Sequence, residues 1–86
     1  MDRKEIADKV LGILKPFVKN QEALASVTGQ TSILNDLKVN SARLVDIILA
    51  FEDEYGIAID DESADKVRTI DDAVNLITAK LGARAA

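Results

Sequence analysis

The sequence predicts an all-α fold, a small bundle of three principal helices plus one short helix, in a single domain covering residues 1–86. Three observations carry that prediction. Apolar residues recur at helical spacing in three separate segments, cap and stop residues bracket them, and no internal repeat, heptad array or low-complexity stretch intervenes. A chain of 86 residues has room for one small core and little else.

The first segment places Ile6, Val10, Ile13, Leu14 and Phe17 at helical spacing with charges between them. Pro16 and the polar run Lys19-Asn20-Gln21 stop it, so a helix is expected from near Asp2 to near Val18. A long connection follows to Asn40, rich in Ser26, Thr28, Gly29, Thr31 and Ser32. Within it Leu24, Val27, Ile33, Leu34 and Leu37 can dip into the core, which anchors the segment as a crossover between helices.

The second helix starts at Ser41 and has the clearest geometry. At about 100° per residue, Leu44, Ile47, Ile48, Phe51 and Tyr55 share one inward face. Opposite them lie Ala42, Asp46, Leu49, Ala50 and Asp53, a mixed acidic and apolar surface suited to contact. Gly56 supplies the left-handed residue that closes many helices, and Ile57-Ala58-Ile59 returns the chain to the core. Residues 60–67 form the short helix, with Asp60, Asp61 and Glu62 at its positive end and Lys66 near its negative end. In the last helix Thr69 and Asp72 have the spacing of a capping box, with Asp in place of the commoner Glu or Gln. Ile70, Ala73, Val74, Ile77 and Leu81 make its inward stripe, and Gly82 is expected to end it, leaving residues 82–86 as a frayed tail.

Composition removes most chemistry. The chain has no Cys and no His, hence no thiol nucleophile, no disulfide, no thiolate metal site and no imidazole base. No recognisable nucleophile–base pair is present, so the chain is not expected to be an enzyme. The run Asp60-Asp61-Glu62-Ser63-Ala64-Asp65 lacks the alternating ligands and central Gly of a calcium loop, and no metal site is expected. The formal charge of −4 is uneven. Residues 1–40 carry six basic against five acidic side chains, and residues 41–86 five against ten. That imbalance argues against nucleic-acid binding and for basic partners. Charges through Met1-Asp2-Arg3-Lys4-Glu5 and at Asp8, Lys9 and Lys15 argue against a signal peptide or membrane span. A cytoplasmic protein is expected, and it is expected to be a monomer because no long apolar stripe marks a dimer seam.

Ser41 is the residue on which function turns. By itself it reads as a cap or first-turn residue, and Asn40 beside it is an equally good cap. Ser26, Ser32 and Ser63 precede no long two-faced helix and read as loop or cap residues.

From about Thr31 to Leu81 the chain resembles an acyl carrier protein, and the whole chain fits that family's length and helix order. That family places Asp-Ser-Leu at the start of its second helix, often followed by an acid, where this chain has Asn40-Ser41-Ala42-Arg43. Further likeness lies in Val45-Asp46, in Glu52-Asp53-Glu54-Tyr55-Gly56-Ile57-Ala58-Ile59 and from Asp61 to Val67. The resemblance implies that Ser41 carries 4′-phosphopantetheine through a phosphodiester, delivered from coenzyme A by a phosphopantetheinyl transferase. The arm's thiol would hold an acyl group as a thioester while the protein supplies attachment and recognition. A phosphodiester at a helix mouth would meet unsatisfied backbone N–H groups.

In that family, acids on the second helix meet basic docking surfaces of acyl-transfer and acyl-modifying enzymes. The resemblance thus makes Asp46 and Asp53 recognition residues, with Leu49 an apolar contact between them. Glu52 and Glu54 belong to the same acidic set. Asn40, Ala42 and Arg43 depart from the motif, which points away from a general fatty-acid carrier. It points toward a specialised one serving a dedicated lipid or secondary-metabolite pathway, with partner choice altered at the helix mouth. Two alternatives stay open on the sequence: an aminoacyl or peptidyl carrier using the same arm, and an unmodified helical adaptor.

Overall fold

A computed structural model describes residues 2–85. Helix α1 runs Arg3–Leu14. Asp2 caps it, its Oδ1 accepting from the Glu5 N–H at 2.9 Å. Pro16, which has no N–H to donate to an α-helical ladder, falls in a tighter 3₁₀ turn, Lys15–Phe17, that ends the segment. The expected extent from Asp2 to Val18 is therefore met as an α-helix with a 3₁₀ tail. Ile6, Val10 and Leu14 are buried, as is Val18 just past the turn.

The connection is more structured than its polar composition suggests. A 3₁₀ segment, Gln21–Ser26, follows Asn20. The Gln21 side chain donates to the carbonyls of Val18 and Lys15, tying the turn back onto the end of α1. Ile33, Leu37 and Val39 are buried, and Leu24, Val27 and Leu34 pack against the core from its edge. Residues 29–33 also pair with the chain entering the last helix. Ile33 N–H donates to the Arg68 carbonyl at 3.0 Å, Ile70 N–H to Thr31 at 3.2 Å, and Asp71 N–H to Gly29 at 2.8 Å. An isolated antiparallel bridge, Ser32 with Thr69, lies among them. The fold is all-α, with no strand among the described residues.

Helix α2 spans Leu44–Tyr55, preceded by a 3₁₀ turn, Ser41–Arg43. Ile47, Ile48, Phe51 and Tyr55 are buried, with Phe51 and Ile47 fully so. Leu44 is only half-buried, a correction to the expected inward set: it stands where the 3₁₀ turn gives way to the α-helix, at the rim of the core. Gly56 ends α2 in the left-handed conformation (φ 61°, ψ 40°). From there the Ile57 N–H reaches back to the Glu52 carbonyl at 3.2 Å. The Glu52 carboxylate accepts from the Ile59 N–H at 2.9 Å, pinning the loop that leads to helix α3, Asp61–Asp65.

Helix α4 runs Ile70–Ala85. Its capping box is present and reciprocal. Thr69 N–H donates to Asp72 Oδ2 and Asp72 N–H donates to Thr69 Oγ1, at 3.1 and 3.2 Å. Arg68 N–H shares the same carboxylate oxygen at 3.1 Å. Gly82 does not stop the helix. Among the described glycines only Gly56 has positive φ, and α4 continues through Gly82 to Ala85. Without a left-handed residue the helical ladder has no local reason to break, so the expected frayed tail is helical as far as Ala85. Ala86 lies outside the described residues. Ile70, Ala73, Val74 and Ile77 are buried. α1 packs chiefly on α4 and secondarily on α2, and the buried cluster is made of aliphatic and aromatic side chains, Tyr55 with its hydroxyl among them. Full burial of a side chain such as Phe51 or Ile47 contributes roughly 1.5–3 kcal/mol.

Candidate functional site

Ser41 opens the 3₁₀ turn that leads into α2, so the residue before it does the capping. The Asn40 side chain accepts from the Ala42 N–H at 2.9 Å, while its carbonyl accepts from the Arg43 N–H at 2.8 Å. This corrects one expectation. The N–H groups of Ala42 and Arg43 are already taken by Asn40, so they are not free donors for a phosphate. The positive end of the helix dipole still faces the turn.

The Ser41 residue is exposed. No hydrogen bond engages its hydroxyl among the described residues. Beside it lies an open groove of about 420 Å³ lined by Ser41, Leu44, Val45, Ile48, Asp61, Ala64 and Asp65. α2 thus supplies one apolar wall, and α3 the other wall with an acidic rim. A second open groove of about 340 Å³, along Ser32, Leu34, Asn35, Val67 and Arg68, shares Leu44 and Asp65 with the first.

α3 owes its place to Asp60. The Asp60 carboxylate accepts from the Ser63 N–H at 3.2 Å and from the Ser63 hydroxyl at 2.7 Å. Lys80 of α4 lies 3.4 Å from Oδ1, the oxygen that also accepts from the Ser63 hydroxyl. The Ser63 hydroxyl first, then the backbone N–H groups of Asp60 and Ser63 and the Lys80 ammonium, hold Asp60 down to about 2 from its ordinary 3.8.

Of the residues expected on the outward face of α2, Ala50 is half-buried and the others are exposed. Asn40, Ala42, Arg43, Asp46, Leu49 and Asp53 are all exposed. Val45 and Leu49 are the large apolar side chains left in water, 66% and 52% exposed. The acids differ in what they already hold. Arg43 Nη1 contacts Asp46 Oδ2 at 3.1 Å, an i,i+3 pair. Glu54 is paired with Lys9 of α1, and that hydrogen bond and charge raise the Lys9 ammonium above its ordinary value. Glu52 serves the Ile59 N–H. Asp53 has no ion pair or side-chain hydrogen bond among the described residues. The Arg43–Asp46 pair was readable from spacing alone, whereas the Glu52 staple depends on the turn at Gly56 and has no comparable sequence signal.

A covalent arm fits Ser41. The hydroxyl is exposed and uncommitted, the helix dipole favours a phosphodiester there, and a groove adjoins it. Known proteins agree on the class. Residues 5–77 match the family described as a phosphopantetheine attachment site. The chain is 38% identical to the acyl carrier protein of Petrotoga mobilis, over 94% of this chain and 93% of that one. It is 37% identical to the mitochondrial acyl carrier protein 2 of Arabidopsis thaliana, over 92% of this chain and 61% of that one. Among solved structures, the acyl carrier protein of Enterococcus faecalis superposes with a TM-score of 0.76 at 34% identity, covering 93% of this chain and 99% of that one.

The chain belongs to the acyl carrier protein family. It is a carrier and not an enzyme, and its cofactor is covalently attached 4′-phosphopantetheine. Its partners accordingly include a phosphopantetheinyl transferase and acyl-handling enzymes. Among the described residues no helix is long and apolar enough to cross a membrane.

Proposed function

We propose that this chain is a specialised acyl carrier whose arm is attached at Ser41, serving a dedicated lipid or fatty-acid-derived pathway. It works as a single-domain monomer in the cytoplasm. The observation that carries the attachment is the exposed, uncommitted Ser41 hydroxyl on the turn that heads α2, beside the groove between α2 and α3. When bound, the arm supplies a thiol for thioester chemistry. The chain's own residues do the rest. Asn40 fixes the turn so that Ser41 points outward, Leu44, Val45 and Ile48 offer apolar surface next to it, and Asp46, Leu49 and Asp53 meet partner enzymes.

Specialisation is supported by Arg43. It places a cation two residues after the serine and ties up the nearest α2 carboxylate, which changes the charge a basic docking surface meets.

Intact mass before and after incubation with coenzyme A and a broad-specificity phosphopantetheinyl transferase tests the attachment. The native chain is expected to gain one phosphopantetheine mass and Ser41→Ala none. A gain that persists in Ser41→Ala would move the site elsewhere.

A further inference from the structure

α2 carries four carboxylates in unequal states, Asp46 and Asp53 on its outward face and Glu52 and Glu54 at its flanks. Glu52 and Glu54 are engaged within the fold, and Asp46 is held by Arg43. Asp53 is open. Between Asp46 and Asp53 stands Leu49, with Val45 next to Asp46, both exposed. Arg43 commits one nitrogen to Asp46, and its side chain is 64% exposed. Its remaining N–H donors face solvent with no other bond among the described residues.

We propose that Arg43 masks Asp46. The face then presents Asp53, Val45 and Leu49 as its standing contacts, and Asp46 offers both carboxylate oxygens only to a partner that displaces Arg43. This rests on the Ser41 reading above. The occupant it fits is a protein surface with an apolar recess for Val45 and Leu49 and a cation for Asp53. To use Asp46 as well, that surface must bring a second cation together with a carboxylate for the released guanidinium. The argument is charge complementarity. A guanidinium displaced from one carboxylate is well satisfied by another, through paired N–H donors, and poorly satisfied against a wholly basic surface. An exposed i,i+3 pair is weak enough in water to open, so the mask discriminates between partners and does not block them.

The test is loading of the full chain by a phosphopantetheinyl transferase with a basic docking surface. kcat and KM are measured for the native chain, Arg43→Gln, Asp46→Asn and the double variant, at low and at high salt. Arg43→Ala is measured alongside, so that the outcome does not hang on one replacement, and thermal melts check that all chains fold.

Arg43→Gln is expected to raise kcat/KM roughly two- to fivefold at low salt, with the change in KM. Asp46→Asn is expected to lower kcat/KM by a larger factor in the Arg43→Gln background than in the native one. High salt should compress both differences. Equal factors in the two backgrounds overturn the mask, as does a rate unaltered by both Arg43 replacements. A native chain that gains no mass overturns the attachment reading and the mask with it. That result is distinct from normal loading with additive variants.

Discussion

Asn40 shows how one side chain prepares a site without taking part in its chemistry. Its Oδ1 and its carbonyl together bind the N–H groups of Ala42 and Arg43, which frees Ser41 from the capping role that a helix-mouth serine often fills. Asn40→Ala removes the side-chain half of that cap and is expected to cost about 1 kcal/mol, read from the urea midpoint. Asn40→Asp, which keeps an accepting oxygen, is expected to retain most of the native stability. A loss in Asn40→Asp equal to that in Asn40→Ala would show that the oxygen does not carry the effect. Arg43 acts on the same turn with the opposite consequence, committing a carboxylate where Asn40 leaves a hydroxyl free.

Among the helices, α3 is the shortest and the most dependent on polar ties. Its capping carboxylate, Asp60, is also its link to Lys80 of α4. Because the folded-state pKa of Asp60 is depressed to about 2 from 3.8, its ionised form contributes stability above pH 3.8. That contribution is lost as pH falls toward about 2. The native chain and Asp60→Asn are therefore expected to differ most in urea midpoint near neutral pH and to converge between about pH 4 and pH 2. A gap that stays constant through that range would argue against the depressed value.

Helix identities were largely legible in the chain because their signals are local. The Thr69–Asp72 spacing, the glycine after Tyr55 and the period of Ile47, Phe51 and Tyr55 each specify geometry within a few residues. What escaped the sequence was non-local or ambiguous. The pairing of residues 29–33 with 68–71 joins segments almost 40 residues apart through backbone groups that every residue possesses. The 3₁₀ segment Gln21–Ser26 has too short a pattern to register as a helix. Gly82 misled because glycine permits a left-handed stop without requiring one.

The whole molecule depends on a core of aliphatic and aromatic side chains with no buried charge among the described residues. Its stability is therefore chiefly a matter of shape and apolar area, and Phe51 is the largest fully buried side chain in it. Phe51→Ala is expected to cost about 3–5 kcal/mol. A domain of 86 residues has roughly 4–13 kcal/mol in total at the usual stability per residue. The variant should therefore sit near its unfolding threshold, visible as a large fall in melting temperature. A loss below about 1 kcal/mol would mean that the core re-closes around the vacancy. The candidate site was legible to the extent that Ser41 and the exposed face of α2 could be placed. Which carboxylates on that face are already engaged required the packing of α1 and of the loop after Gly56 against it.

The turn proposed to carry the arm and the core share no fully buried side chain: residues 40–43 are all exposed, while Ile47, Phe51 and Ile77 are fully buried. On the proposed reading, sequence drift can therefore rewrite the address at Ala42 and Arg43 at little risk to the body that bears it. A lineage can re-route such a carrier to new enzymes by changing a handful of surface letters, without waiting for compensating changes inside.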